Sequence, residues 1–244
     1  MKILGLNAFH GDASAALLVD GELVAFAAEE RFNRVKHCAG FPVLAIQYCL
    51  EEAGLRLDQI DVITVSKDPK ANLLAKALTV LRHPGLLTPS FLKSRLRQGA
   101  SVGNVATRLA QTLENGGVVP PVVHVEHHLA HAASAFYASP FEKAAILTLD
   151  GMGDAVSGML AIGEGNKIRV IKRIRFPHSL GFFYTALTQH LGFPKFGDEG
   201  KVMGLAAYGS PTCAPQLRQV IHPTSDGLLA LNLDYFIHQN AGVS

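Results

Sequence analysis

The run Ile146-Leu147-Thr148-Leu149-Asp150-Gly151-Met152-Gly153-Asp154 begins with apolar and β-favouring residues, closes its strand on an acid and passes into glycines. Ser157 follows Asp150 by seven positions, and Leu160 comes next in the pattern. The N-terminus repeats this order with Ile3-Leu4-Gly5-Leu6-Asn7, then Ser14 seven positions after Asn7, then Leu17. In the first copy the return strand, Ala15 to Val19, meets Asp20-Gly21, a dipeptide favoured in type I′ turns, and a third strand runs from Leu23 to Ala28. In the second copy Gly163-Glu164 stands opposite that turn. Self-similarity of this kind signals two lobes of one design, each opening with strand, polar loop and hairpin, facing one another across a cleft. Loops at such strand ends can wrap phosphates, because backbone N–H groups in glycine-rich turns form anion-binding concavities.

This is the layout of the actin-like, sugar-kinase-like ATPase fold, an α/β class. Lobe one is expected over residues 1–140, with a helical insertion at about 67–115, and lobe two over residues 141–244, where the second copy stops short. Within lobe one, Ile46, Cys49, Leu50 and Ala53 recur at helical spacing between Phe41 and Leu55, with Gly54 placed where a helix stops. Ile60 to Val65 reads as a buried strand. From Lys67 to Arg108, eight Lys and Arg (67, 70, 76, 82, 93, 95, 97 and 108) face one acid, Asp68, and Leu-rich helical segments break at His83-Pro84-Gly85 and Thr88-Pro89. Two readings of this stretch stand: a solvated basic helix face, or a patch that attracts an anionic substrate or partner.

Composition agrees with an ordered α/β protein. Apolar residues make up 48% of the 244, charged residues 17%, and mean hydropathy is +0.22, which excludes a disordered tail protein. A net charge of +2 does not announce a nucleic-acid binder. No apolar run reaches the roughly 18 residues of a membrane span, and Met1-Lys2-Ile3-Leu4-Gly5 lacks a signal-peptide layout. Three distant cysteines, Cys38, Cys49 and Cys213, argue against a disulfide framework. A soluble cytoplasmic protein without membrane contact is the expectation.

The densest chemistry lies in Val122-Val123-His124-Val125-Glu126-His127-His128-Leu129-Ala130-His131-Ala132-Ala133-Ser134, which holds four of the 11 histidines. The alanine-rich stretch from Leu129 favours a helix, and His127 and His131, four apart, share a helix face and can converge on one ion. His124 and His128 have the same spacing, but His124 falls in the preceding strand. Asp150, at a strand end on the facing lobe, is the natural third ligand. Imidazole with carboxylate suits Fe, Zn or Mn, and three protein ligands leave positions for substrate oxygens; surface or capping histidines are the alternative. In Glu29-Glu30-Arg31-Phe32-Asn33-Arg34-Val35-Lys36-His37, either the whole run is an exposed loop or Lys36 reaches a phosphate as a point charge. His178-Ser179-Leu180-Gly181-Phe182-Phe183-Tyr184 reads as a turn feeding a helix from Thr185 to Leu191, either an anion site or an N-cap. Asp198 to Gly209 has small residues spaced for close backbone approach and matches no P-loop.

Together these stretches resemble the nodulation-type and antibiotic-tailoring O-carbamoyltransferases. The matching text is Leu4-Gly5-Leu6-Asn7-Ala8-Phe9-His10 with Ser14-Ala15-Ala16-Leu17, Ala28-Glu29-Glu30-Arg31-Phe32, Lys36-His37, Phe41-Pro42, and His127 through Phe136. It continues with Leu149-Asp150-Gly151, Ser179-Leu180-Gly181 and Glu199-Gly200-Lys201-Val202-Met203-Gly204-Leu205-Ala206. The resemblance implies an actin-like fold related to the tRNA threonylcarbamoyl-transfer protein. It also implies a separate C-terminal domain that makes carbamoyl-adenylate from carbamoyl phosphate and ATP. The N-terminal domain then passes the carbamoyl group to a hydroxyl of a small sugar-like or natural-product acceptor. By the family pattern His127, His131 and Asp150 hold a divalent ion, Fe(II) by resemblance. His10 handles the acceptor proton, Lys36 meets the nucleotide, and Gly151, Gly153 and Gly181 line the phosphate region.

Two departures stand out. Gly11 separates His10 from Asp12, where many relatives place the histidine directly before the aspartate. The family's last metal ligand, an aspartate late in lobe two, and the adenylate-forming domain would lie beyond Ser244, so weak or no complete turnover is expected of the isolated chain. The alternatives are tRNA threonylcarbamoyl transfer, from which Glu29-Glu30-Arg31-Phe32 and Lys201 to Ala206 point away, and a non-catalytic nucleotide- or metal-binding module that needs a partner. A homodimer stays open.

Overall fold

In the computed structural model, which describes residues 1–87, 104–112 and 118–241, the chain divides into two units. The first comprises Met1–Ala71 and the described part of Lys93–His127. The second comprises the described parts of Asn72–Leu92 and His128–Ser244. Of the basic residues singled out above, Lys93, Arg95 and Arg97, like the Thr88-Pro89 break, lie outside the described residues.

The first unit is built on a mixed five-stranded sheet. Strands β1 (Lys2–Asn7), β2 (Ser14–Val19) and β3 (Glu22–Ala28) run antiparallel, and β4 (Val62–Val65) and β5 (Val122–His124) continue from β1 in parallel, giving the order β3-β2-β1-β4-β5. Asp20 and Gly21 both have positive φ (51° and 91°), as a type I′ turn demands, so the expected hairpin forms at the expected dipeptide. A short helix, α1 (Glu30–Asn33), leads to α2 (Val43–Glu52). Ala45, Ile46 and Cys49 of α2 are buried with Leu4, Leu17 and Ile63 of the sheet. Gly54, at φ 61°, ends α2: its N–H bonds to Glu51 O and that of Leu55 to Leu50 O, the paired closure of a Schellman motif. Helix α4 (Val105–Thr112), which follows α3 (Leu73–Arg82) of the second unit along the chain, adds Val105 and Leu109 to this core.

The second unit opens with a three-stranded antiparallel sheet of β6 (Lys143–Gly153), β7 (Val156–Glu164) and β8 (Lys167–Arg175). The strand-and-hairpin opening therefore recurs, as the repeat required, but two details differ. The copy of Asp20-Gly21 is Gly165-Asn166, two residues later than expected, because Glu164 pairs with Lys167 as Val19 pairs with Glu22. Where the first unit spends Ala8 to Ala13 on a loop, β6 runs on through a register shift between Leu149 and Gly153 and turns tightly at Asp154-Ala155. Those two residues take φ values of 50° and 66°, the left-handed pair that a two-residue hairpin needs.

Helix α5 (His127–Phe136) lays Ala132 and Phe136 on this sheet against Ile146, Met159 and Ala161. Gly163 makes room for the Phe136 ring, which would stand 2.6 Å from any Cβ there. Helix α3 (Leu73–Arg82) and the 3-10 turn Pro84–Leu87 also belong to this unit: Asn72 Nδ2 donates to Asp154 O at 3.1 Å, and Gly85 abuts the backbone of Asn240. Helices α6 (Leu180–His190), α7 (Glu199–Ala206) and α8 (Ala214–Val220), the β9 (Ile221–Pro223) and β10 (Leu229–Leu231) ribbon, and α9 (His238–Ala241) complete it. No described helix is long and apolar enough to cross a membrane.

Candidate metal centre

Three consecutive features place the candidate ligands. Strand β5 ends at His124, whose Nδ1 faces Lys67 O at 3.0 Å, which ties this ring to backbone. Helix α5 then starts at His127, two residues earlier than the alanine-rich run suggests, and carries His127 and His131 one turn apart. Strand β6 brings Asp150 to the same helix. One ligand atom from each of His127, His131 and Asp150 can be chosen so that all lie within 4.8 Å of one another.

The geometry suits a shared cation. His131 Nε2 and Asp150 Oδ2 are 3.7 Å apart, too far for a good hydrogen bond. Two ligands each about 2.1 Å from one ion at a tetrahedral angle would stand about 3.4 Å apart. His127 Nδ1 lies 3.2 Å from Ser66 O; a carbonyl only accepts, so Nδ1 carries the proton there and Nε2 keeps its lone pair for a ligand bond. Ser66 is itself held, its hydroxyl donating to Asn7 Oδ1 at 3.0 Å. The other Asp150 oxygen, Oδ1, accepts Gly151 N–H at 2.6 Å.

Within the first unit, the ring of His10 meets that of His127 edge-on, with centroids 5.7 Å apart. The Asn7 side chain holds the loop that carries His10, donating to Gly11 O at 3.3 Å and Asp12 O at 2.8 Å. Lys36 is exposed on the loop between α1 and α2, flanked by Arg34 and His37 in left-handed conformations. The charged run Glu29 to His37 is not all exposed loop. Glu29 is buried, and its carboxylate accepts the amides of Leu44 (3.2 Å) and Ala45 (2.9 Å) at the start of α2.

Gly151, Gly153 and Gly181 all fall in the second unit. Helix α6 begins at Leu180 rather than Thr185, because Ser179 caps it by accepting Phe182 N–H at 3.0 Å. The same hydroxyl meets the carbonyls of Asp150 (3.0 Å) and Gly151 (2.8 Å). A Cβ at Gly181 would lie 2.6 Å from Gly151 N, so the helix start and the Asp150-Gly151 backbone are in direct contact. Gly153 is buried at the end of β6. Asp198 to Gly209 forms α7 and its flanks; Lys201 pairs with Asp198 at 2.5 Å, and that bond holds the Asp198 carboxyl below its ordinary range.

The spacing of the histidines does not reveal the supporting residues. His128 is fully buried between Thr148 Oγ1 (Nδ1, 2.7 Å) and Val156 O (Nε2, 3.0 Å). Thr148 stands two before Asp150 on one strand face and His128 three before His131 on one helix face, but neither spacing tells a supporting residue from a ligand.

The family model described as Carbamoyltransferase N-terminus matches residues 2–240. The chain is 38% identical over 242 residues to uncharacterized protein sll1178 of Synechocystis sp., covering 96% of this chain and 39% of that protein. It is 41% identical over 208 residues to nodulation protein NolNO of Sinorhizobium fredii, covering 84% of this chain and 29% of that protein. The chain thus spans about a third of the length of these curated relatives. Among solved structures, YeaZ from Pseudomonas aeruginosa aligns with a TM-score of 0.39 and 18% identity, over 72% of this chain and 69% of that one. With its family's pattern matched along nearly its whole length, the chain belongs to the Carbamoyltransferase N-terminus family.

Proposed function

We propose that the chain carries out the transfer step of an O-carbamoyltransferase, moving a carbamoyl group from carbamoyl-adenylate to a hydroxyl of a small sugar-like or natural-product acceptor. The observation that carries this reading is the convergence of His127, His131 and Asp150 in a member of this family. Two imidazoles and a carboxylate fit a divalent ion, Fe(II) by the family resemblance. When bound, such an ion supplies Lewis-acid stabilisation of negative charge on a donor oxygen.

The chain's own groups divide the remaining work. His10, beside His127, takes the proton of the acceptor hydroxyl, a task suited to an imidazole at neutral pH. As that proton leaves, the hydroxyl oxygen bonds to the carbamoyl carbon. The bond from that carbon to the phosphate oxygen breaks, and AMP departs with the electron pair. Gly151, Gly153 and Gly181 line the region for the phosphate, and Lys36 adds a point charge toward the nucleotide. Carbamoyl-adenylate itself is formed from carbamoyl phosphate and ATP by the separate adenylate-forming domain that the family pairs with this one.

The transfer step is tested directly. The purified chain, prepared anaerobically, is given carbamoyl-adenylate and a panel of sugars and aminoglycosides, and AMP release and carbamoylated acceptor are followed by mass spectrometry. Wild type is expected to form both, and His131→Ala and His10→Ala to lose about 100-fold or more of the rate. Product that forms only with tRNA and threonine would move the chain to threonylcarbamoyl transfer.

A further inference from the structure

We propose that His128 is a positioning residue for the metal centre, setting the gap between His131 and Asp150; this inference rests on the cation reading above. Val156 O can only accept, so the Nε2 that faces it at 3.0 Å carries the ring proton. Nδ1 is then a lone pair, and the Thr148 hydroxyl donates to it at 2.7 Å. Both ring nitrogens are used, in one neutral tautomer and in a fully buried position. His128 is therefore a strut between α5, β6 and β7 rather than a third imidazole ligand.

Periodicity ties that strut to the ligands. Thr148 and Asp150, two apart, lie on one face of β6; His128 and His131, three apart, lie on one face of α5, with ring centroids 5.9 Å apart. Helix and strand are thus joined by two rungs. The His128–Thr148 rung is a hydrogen bond of 2.7 Å, and the His131–Asp150 rung spans 3.7 Å. The further bond from His128 to Val156 holds the helix against the second strand as well. A ligand set must be held within about 0.5 Å to keep its geometry, and Ala132 and Phe136, the other buried contacts of α5 with this sheet, are apolar and set no hydrogen-bonded register. The Ser179 hydroxyl meets the Asp150 and Gly151 carbonyls, so the strand end has an anchor of its own and the helix is the part left to place.

Co(II), titrated into metal-free protein and followed by its visible absorbance, provides the test. Thr148→Val removes the donor and nearly conserves shape, Thr148→Ala removes it without setting a methyl against the ring, and Thr148→Ser restores it. Affinity is measured below each variant's unfolding temperature, beside the Tm of the metal-free form. Both donor-less variants are expected to bind Co(II) about 10–100-fold more weakly with altered absorption bands, and Thr148→Ser to bind within about 3-fold of wild type. If either folded donor-less variant shows a lower Tm with wild-type affinity and spectrum, His128 supports the fold alone and the proposal is overturned. Equal Co(II) uptake by wild type and His131→Ala would instead remove the cation site itself, and the positioning role with it.

Discussion

Glu29 sits in an alternating run of charges, yet its carboxylate caps a helix that starts fourteen residues later in the chain. The N-terminal residue of α2 follows Pro42, which has no side chain to offer the free amides, and a carboxylate there also meets the positive end of the helix dipole. Glu29→Ala is therefore expected to destabilise the protein by about 1–2 kcal/mol in urea unfolding, and Glu29→Gln by less. Thr188 presents the opposite case. Its hydroxyl is buried in α6 with no hydrogen-bond partner among the described residues, so Thr188→Val should raise stability by up to about 1 kcal/mol in the same measurement. Neither role is legible in sequence, since charge alternation does not say which carboxylate folds back, and helical spacing does not say which hydroxyl lacks a partner. The shared helix face of His127 and His131 is legible because their spacing alone sets it, whereas Asp150 enters a sequence reading as a strand-end carboxylate. His128 is not legible, because a strut and a ligand are the same letter until the groups facing the ring are known.

At the scale of elements, the strongest signals are those in which one residue type meets a strict backbone demand. Asp20-Gly21 marks its hairpin and Gly54 ends α2 because left-handed conformations are costly to most side chains. Helix α6 starts five residues before the sequence suggests, although Gly181 lies in its first turn. The missing Cβ permits contact with the Asp150-Gly151 backbone, and Ser179 offsets the lost propensity by capping. Gly181→Ala consequently forces backbone apart, where helix propensity alone would foresee a gain. It is expected to cost about 1–3 kcal/mol in thermal or urea unfolding and to weaken Co(II) binding through Asp150. A stabilised variant with unchanged binding would show that the helix start and the ligand strand are uncoupled. The turn at Asp154-Ala155 escapes a sequence reading for the reverse reason: two non-glycine residues hold the left-handed pair, and nothing in their letters announces it.

Across the molecule, stability should depend on pH through the end of the second unit. Burial, followed by the neighbouring His222, His238 and His83, pushes the His178 imidazole below its ordinary value, and burial likewise lowers His238, against the opposing pull of its bond to Pro177 O. The His178 Nδ1 also accepts Leu231 N–H at 3.1 Å, a bond only the neutral ring can make. A histidine depressed in the folded state binds its proton more readily when unfolded. Stability is then complete above about pH 6.5 and declines as pH falls through and below that value. Urea midpoints measured from about pH 7.5 to about pH 5.5 should fall accordingly, and a His178→Asn, His238→Asn double variant should flatten the slope. The strand-and-hairpin motif of the repeat is legible in the sequence, whereas the return of α3 to the second unit has no sequence signal, since its amphipathic pattern fits any apolar surface. That return has a consequence for synthesis. The helix Leu73–Arg82 leaves the ribosome before the three-stranded sheet of its own unit, and Asp154, whose carbonyl receives Asn72, follows some eighty residues later. At about 5–20 residues per second, Asn72 waits on the order of ten seconds for that partner, an interval in which a nascent-chain chaperone would find the exposed Leu73, Leu74 and Leu81 beside it.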